Sequence, residues 1–316
     1  MALTIGQIAA ASYAAILAKK KTAANQWAES ALLSEMEKQG MIKRISFGPT
    51  IEAPLDYQRN PGTVIQATEL QQLSLTKTEV VTAASYAIAE VTVTVTWSKK
   101  DEATNPSEKQ KIDVVKTIVS NGITSHDDIL EQSMFLLSTN GFLGLKTLIP
   151  FVNTSPSLGG IDPSANSFWR NQTNTYVDDT DIEAGLTTSY NQQMKGTGSK
   201  LTPTLAVSDA ATQALFEGTQ QALQRYETQD LKAGFKTIFF KTCKWVFSQY
   251  AGNSGAVYQL NAQNFNLAVS KEYFRNMDEK QIIPDANGWN LKIYSAVQLV
   301  TDNRSRLSIT GTSAST

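Results

Sequence analysis

GGIDPSANSFWRNQ, residues 159–172, is the most marked segment of the chain. Two glycines lead into an Asp-Pro pair, small polar residues follow, and an aromatic pair runs into Arg170. This is turn chemistry: Gly159 and Gly160 bring backbone freedom and Pro163 fixes a dihedral. The stretch has no nucleophile beside a base, no metal-ligand spacing and no phosphate loop. Phe168, Trp169 and Arg170 fit either a cation–π or base-stacking platform, or a buried anchor for an irregular loop. One aromatic pair in such a loop favours the anchor.

Upstream, SEKQKIDVVKTIV places Ile112, Val115, Ile118 and Val119 on one helical stripe, and Pro106 sits where helices start. Asn121-Gly122 is expected to interrupt it. Ser125 with Asp128 resembles a capping box opening a second run, HDDILEQSMFLLSTNG. A nearly straight helix over 107–139 would measure about 50 Å. A compact chain of this length has a radius of gyration of only about 20 Å, so a flat or elongated subunit is expected.

Further upstream, EVTVTVTW (90–97) has the strongest strand signal in the chain. Val91, Val93, Val95 and Trp97 fall on one face, and Thr92, Thr94 and Thr96 on the other. Residues 46–100 read as one long two-stranded excursion punctuated by Pro54, Pro61 and Gly62. A lone hairpin is marginal in water, so the expected support is a neighbouring subunit. Residues 5–39 favour helix, with Gly40 as its stop. The opening MALTIGQIAAASYAAILAKKK has no positive n-region, and its lysines follow the apolar stretch. It therefore reads as an amphipathic helix rather than a signal peptide.

Downstream, DDTDIEAGLTTSYNQQMKG reads as a helix with acids at its N-terminus, TPTLAVSD as a strand and AATQALFEGTQQALQRYET mostly as a helix. GFKTIFFKTCKWVF reads as a strand pair; YQLNAQNFNLAVS and NLKIYSAVQLVTDNRSRLSITGT are strand-rich. Without regular βαβ alternation or an internal repeat, the fold class is α+β.

The chain has 316 residues, 41% hydrophobic and 18% charged, enough for a sizeable core and two or three subdomains. Lys+Arg of 28 against Asp+Glu of 29 gives a net charge of −1, which removes any global pull toward nucleic acid or anionic membrane. No apolar run reaches transmembrane length. A single cysteine, Cys243, excludes an intrachain disulfide; a thiol packed on a strand is its simplest reading, although Lys241 and Lys244 flank it.

With His126 as the lone histidine, a His- or Cys-based metal site and a Ser-His-Asp triad have little to build on. DDTDIE holds four acids in six residues, which fits a divalent cation but is explained more simply by the helix dipole. No catalytic, cofactor or metal residues are assigned, and the chain is not expected to be an enzyme.

GGIDPSANSFWRNQ resembles the GGI-D-W-R-N stretch of tailed-phage major capsid proteins of the HK97-like fold. ALLSEMEKQG with ISFGPTIEAPLDY resembles the arm entering that family's E-loop. AEVTVTVTWSKKDEATN with KIDVVKTIV resembles the return strand running into a spine helix. LAVSDAATQALFEG resembles the axial-domain strand and helix, and YQLNAQNFNLAVS and KIYSAVQLVTDNRSRLSITG the closing strands. The motifs are individually weak, but they occur in order over nearly the whole chain.

The resemblance implies an N-terminal arm (1–45), a β-hairpin E-loop (46–100), a P-domain with a long spine helix (101–158), a mainly A-domain stretch (159–290) and closing P-domain strands with a tail (291–316). It implies self-assembly as pentamers and hexamers into an icosahedral virion shell around double-stranded DNA, built in the host cytoplasm. Portal, scaffolding or decoration proteins would be further partners, with no membrane and no cofactor. Inter-subunit contacts would come from Gln66, Glu69, Leu70, Leu73 and Lys77. Gly159, Gly160, Asp162, Trp169 and Arg170 would anchor the loop, with Trp169 and Arg170 pinning it beneath the spine helix. Lys77 has no alignable crosslinking partner, so covalent crosslinking is not expected. With no long scaffolding segment ahead of the arm, a separate scaffolding protein is expected if one is needed. The alternatives are an encapsulin-type shell around an enzyme cargo, and a monomeric surface- or carbohydrate-binding domain.

Overall fold

The structure is a computed structural model. It describes residues 31–46, 48–58, 60, 63, 65, 79–100, 108–138, 140–178, 180–194, 202–221, 238–252, 255–279, 281–284 and 286–312. ALLSEMEK forms helix α1 (Ala31–Lys38), which buries Leu32, Leu33 and Met36. Gly40 stops it at φ +70°, and Met41 N–H returns to the Met36 carbonyl at 2.8 Å, a left-handed helix end that glycine adopts without a Cβ penalty. The rest of the helix expected over 5–39 lies outside the described residues.

Four strands follow: β1 (Ile42–Ile45), β2 (Thr50–Asp56), β3 (Val81–Ala87) and β4 (Ala89–Ser98). β2 and β3 pair antiparallel, from Thr50 opposite Ala87 to Asp56 opposite Val81. In β4 the alternation of EVTVTVTW is realised: Thr92, Thr94 and Thr96 are exposed while Val95 and Trp97 are buried. Its partner corrects the expected excursion. β4 does not wait for a neighbouring subunit but pairs with β13 (Gly288–Thr301), from Ser98 opposite Gly288 to Ala89 opposite Val297. A late strand of the same chain satisfies its backbone groups.

Helix α2 (Glu108–Phe135) is continuous over 28 residues, about 42 Å at 1.5 Å per residue. Asn121-Gly122 does not interrupt it, and Ser125 and Asp128 are interior positions rather than a cap. The reason lies in packing. A Cβ on Gly122 would stand 2.6 Å from Val95 Cγ2 and 3.2 Å from Ile293 Cδ1. The missing side chain seats the helix on the β4–β13 ladder, and that contact offsets glycine's helix penalty of about 1 kcal/mol. Ile118, Ile123, Val93 and Leu291 close around buried Val95, Trp97 and Ile293.

The remaining elements are α3 (Leu145–Leu148), β5 (Gln172–Tyr176), α4 (Ile182–Gln193), β6 (Leu205–Ser208), α5 (Ala210–Gln221), β7 (Ile238–Phe240), β8 (Cys243–Phe247), β9 (Val257–Leu260), β10 (Phe265–Ser270), β11 (Asn276–Met277), β12 (Gln281–Ile282) and β14 (Ser308–Thr312). The helices over 182–193 and 210–221 and the β7–β8 hairpin stand where the sequence placed them.

Two mixed sheets result, and the architecture is α+β. In the first, β1 runs parallel to β10, and β4, β10, β11 and β12 all pair with β13. The second has the order β5-β14-β9-β6-β8-β7, with β6 parallel to β8 and β14 parallel to β5. YQLNAQNFNLAVS is shared between sheets: β9 lies in the second and β10 in the first. The largest core joins α1, the inward faces of β2 and β3, the C-terminal part of α2, Trp169 and strands of both sheets. A second core gathers Ile182, Leu186 and Tyr190 of α4 with Phe216, Phe240, Cys243 and Trp245.

Candidate functional site: the root of the hairpin and residues 159–172

Among the residues expected to act, Gly159, Gly160, Asp162, Trp169 and Arg170 come together. Leu158 and Ile161 exchange both backbone hydrogen bonds at 3.1 Å. Gly159 (φ +63°) and Gly160 (φ +79°) form the two-residue turn between them, in the positive-φ pair that a primed turn requires. Gly159 also touches the hairpin: its carbonyl accepts Ser85 N–H at 3.0 Å, and a Cβ there would lie 2.7 Å from Ala84 Cβ. The turn thus abuts β3 backbone to backbone, which only glycine allows.

The segment then bonds to itself. Trp169 is fully buried and donates its indole N–H to the Leu158 carbonyl at 3.0 Å. Arg170 donates Nε to the Pro163 carbonyl and Nη2 to the Ser164 carbonyl, both at 2.7 Å. Asp162 accepts Ser164 N–H at 2.8 Å and Ser164 Oγ–H at 2.7 Å; these bonds hold its carboxyl below the usual range, with Arg170 adding to the effect. Phe168 stacks on Tyr57 just beyond β2, with centroids 4.8 Å apart. Burial removes Trp169 from any base-stacking role. The Ser167–Trp169 turn packs against the Arg304–Arg306 turn, so the segment meets the closing part of the chain, a contact the spine-helix expectation did not include.

Arg304 was not anticipated from sequence. It is fully buried, with Nε on the Leu148 carbonyl at 3.0 Å, Nη1 on the Pro156 carbonyl at 3.5 Å and Nη2 on Asn171 Oδ1 at 3.4 Å. Burial pulls its pKa down to about 10. The sequence reads NRSR within a strand-rich closing stretch, and nothing in its spacing signals a buried guanidinium held by Leu148, Pro156 and Asn171. Tyr86 of β3 likewise reaches the core, its OH on the Thr301 carbonyl at 2.7 Å.

The other candidates are structural. Cys243 is buried, its pKa pushed up to about 12 by desolvation, which suppresses thiolate formation. His126 is buried on α2 with Nδ1 3.2 Å from Asp127 Oδ1, and Asp127 also pairs with Arg275 at 2.7 Å. In DDTDIE, Asp178 accepts Thr180 N–H at 2.9 Å, and Glu183 occupies the first turn of α4. Among the described residues, no group of three or more His, Cys, Asp or Glu is placed to hold a metal, and no helix is long and apolar enough to cross a membrane. Gln66, Glu69, Leu70, Leu73 and Lys77 lie outside the described residues.

No family model and no curated protein matches the chain. Solved structures do. A chain of the cyanophage A-1(L) capsid asymmetric unit superposes with a TM-score of 0.66 at 12% identity, covering 92% of this chain and 94% of that one. The capsid of a native GTA particle gives 0.60 at 9% identity, covering 95% and 99%. The holo-SrpI encapsulin complex of Synechococcus elongatus PCC 7942 gives 0.59 at 11% identity, covering 100% and 98%. Superposition over nearly the whole of both chains, at TM-scores of 0.59 to 0.66, identifies the architecture of this chain as the HK97-like α+β fold.

Proposed function

We propose that the chain is a shell-forming subunit, the major capsid protein of a tailed phage. In this reading it assembles as pentamers and hexamers into an icosahedral virion head around double-stranded DNA, inside the host cytoplasm. Its role is structural rather than catalytic. The supporting observation is correspondence over nearly the full length of both chains with shell subunits, at TM-scores of 0.59 to 0.66. Residues 1–45 serve as the arm, 46–100 as the E-loop, 101–158 as the P-domain with α2 as spine, 159–290 mainly as the A-domain, and 291–316 as closing strands and tail. Gln66, Glu69, Leu70, Leu73 and Lys77 reach the next subunit, and residues 159–172 anchor the hairpin through the Gly159 contact with β3. Many weak contacts multiplied by ring closure stabilise the shell. Portal, scaffolding or decoration proteins complete the particle, and the DNA is met without base recognition.

The test is negative-stain electron microscopy of the purified chain alongside sizing. Closed shells, tubes or capsomers are expected. A clean 34.5 kDa monomer, persisting at high concentration and with a scaffolding protein added, overturns the reading. The encapsulin match favours a second reading, a shell around an enzyme cargo. Particles recovered from the native source separate the two: packaged DNA supports the phage head, and a stoichiometric enzyme the cargo shell.

A further inference from the structure

We propose that Asp302, Asn264 and Asn266 form a calcium site where the chain crosses between its two sheets. The turn at 261–264 carries the chain from β9 in the second sheet to β10 in the first, and residues 302–307 carry it back from β13 to β14. The two crossovers meet. Asp302 N–H donates to the Asn264 carbonyl at 3.3 Å, and Asn264 Nδ2 donates to Asp302 Oδ1 at 2.7 Å. This pair continues the β10–β13 ladder one step beyond Phe265 and Thr301, with both side chains on one face. Asn266 stands on that same face two residues along, because side chains alternate along a strand.

What collects on this face is acceptors. Asn266 is 5% exposed, and its Oδ1 is buried with no donor among the described residues. The Oδ1 of Asn264 is in the same condition, while its amide nitrogen is turned to Asp302. No ion pair among the described residues includes Asp302. Burial pushes its carboxyl above the usual range, and the Asn264 bond and the Lys43 charge do not offset that. A buried oxygen without a donor is costly, and two of them beside a carboxylate make a donor-poor cluster. One cation serves all three. Hard oxygens from a carboxylate and two amides suit calcium, whose flexible coordination tolerates ligands spread along a strand; magnesium demands near-ideal octahedral geometry. With a single carboxylate the affinity falls at the weak end, a Kd of about 0.1–1 mM. Asp302 and Asn264 are half-buried, so the site is reached from solvent. Calcium there ties both crossovers together and with them the two sheets. The site lies within one chain and is independent of the shell reading.

The test is thermal melting of the full-length chain with calcium chloride, against magnesium chloride and against sodium chloride of equal ionic strength. At about 10 mM, calcium is expected to raise the melting temperature saturably by about 3–5 °C, and magnesium by less than about half of that. Hydrogen exchange on the same protein localises the effect. Calcium should slow exchange about threefold or more in peptides spanning 261–266 and 300–304, including the Asp302 amide. Asp302→Asn removes the charge and keeps the shape, and should abolish both responses. Should that variant not fold, the exchange map of the parent decides. A calcium shift no larger than the salt control overturns the proposal. So do equal shifts from both divalent cations, protection confined to other segments, or a response that Asp302→Asn retains.

Discussion

β3 and β4 adjoin at Ile88, yet they stand in opposite surroundings. β4 has β13 along its whole length and α2 against its valine face. β3 has β2 as its strand partner and is backed on one face only: Ala84 and Tyr86 are buried, whereas Val81, on the outward face, is 62% exposed. β4 is mostly Val, Thr and Trp, whereas β3 is mostly Ala and Ser, so strand propensity already favours β4. Backing separates them further. β4 is held on both counts by a strand and a helix of this chain; β3 has a single strand partner and one open face.

The largest expected break in that contrast is at the root. Trp169→Ala removes a fully buried indole and its bond to Leu158, and should cost about 3–5 kcal/mol with a matching fall in melting temperature and particle yield. Unchanged melting and yield would sink the anchor proposal. Gly122→Leu attacks the backing of β4 instead. It should cost about 1–3 kcal/mol by overpacking against Val95 and Ile293, and Val95→Ala should recover part of the loss. If the double variant is no better than the single, the close helix–ladder approach is not the reason for glycine at that position. Gly159→Ala puts a side chain at φ +63° and against Ala84, for about 1–2 kcal/mol. Hydrogen exchange should then rise at the Ser85 amide first, since its acceptor is displaced.

A smaller effect is expected where α1 meets α2. Glu131 on α2 is buried, with Oε1 accepting from Ser248 Oγ at 2.6 Å. Its Oε2 has no well-formed partner among the described residues, although the Leu32 and Leu33 N–H groups of α1 are near enough to favour the ionised form. Burial outweighs them and raises its pKa above the ordinary 4.5, with Asp128 adding to the rise. The folded state therefore keeps this proton to higher pH than the unfolded state does. Its contribution to stability is full below the unfolded value and is lost as pH rises through the folded one. Glu131→Gln should flatten that part of the pH–melting profile and melt higher than the parent at pH 7. A parallel profile would refute the assignment.

Local signals in the sequence were reliable where the structure is local. The valine–threonine alternation, the Gly40 stop and the acidic start of α4 each follow from a few adjacent residues. The partner of β4 was illegible because the residues that pair with 89–98 lie at 288–297, and no short pattern announces a join that distant. Asn121-Gly122 misled for a related reason: a glycine that breaks a free helix and one that admits a neighbouring strand look the same until the strand is in place. Of the proposed site, the turn glycines and Trp169 were legible. The Ser85 contact and the buried Arg304 depend on chain segments that meet only in three dimensions.

β13 sits at the centre of one sheet, and β14 joins β5 to β9 in the other. Both sheets therefore stay incomplete on the ribosome until residues 288–312 have been made. Until then β4 has no partner and α2 no seat. A chain cut short of residue 288 therefore loses the central pairing of both sheets at once, because one stretch of chain closes both.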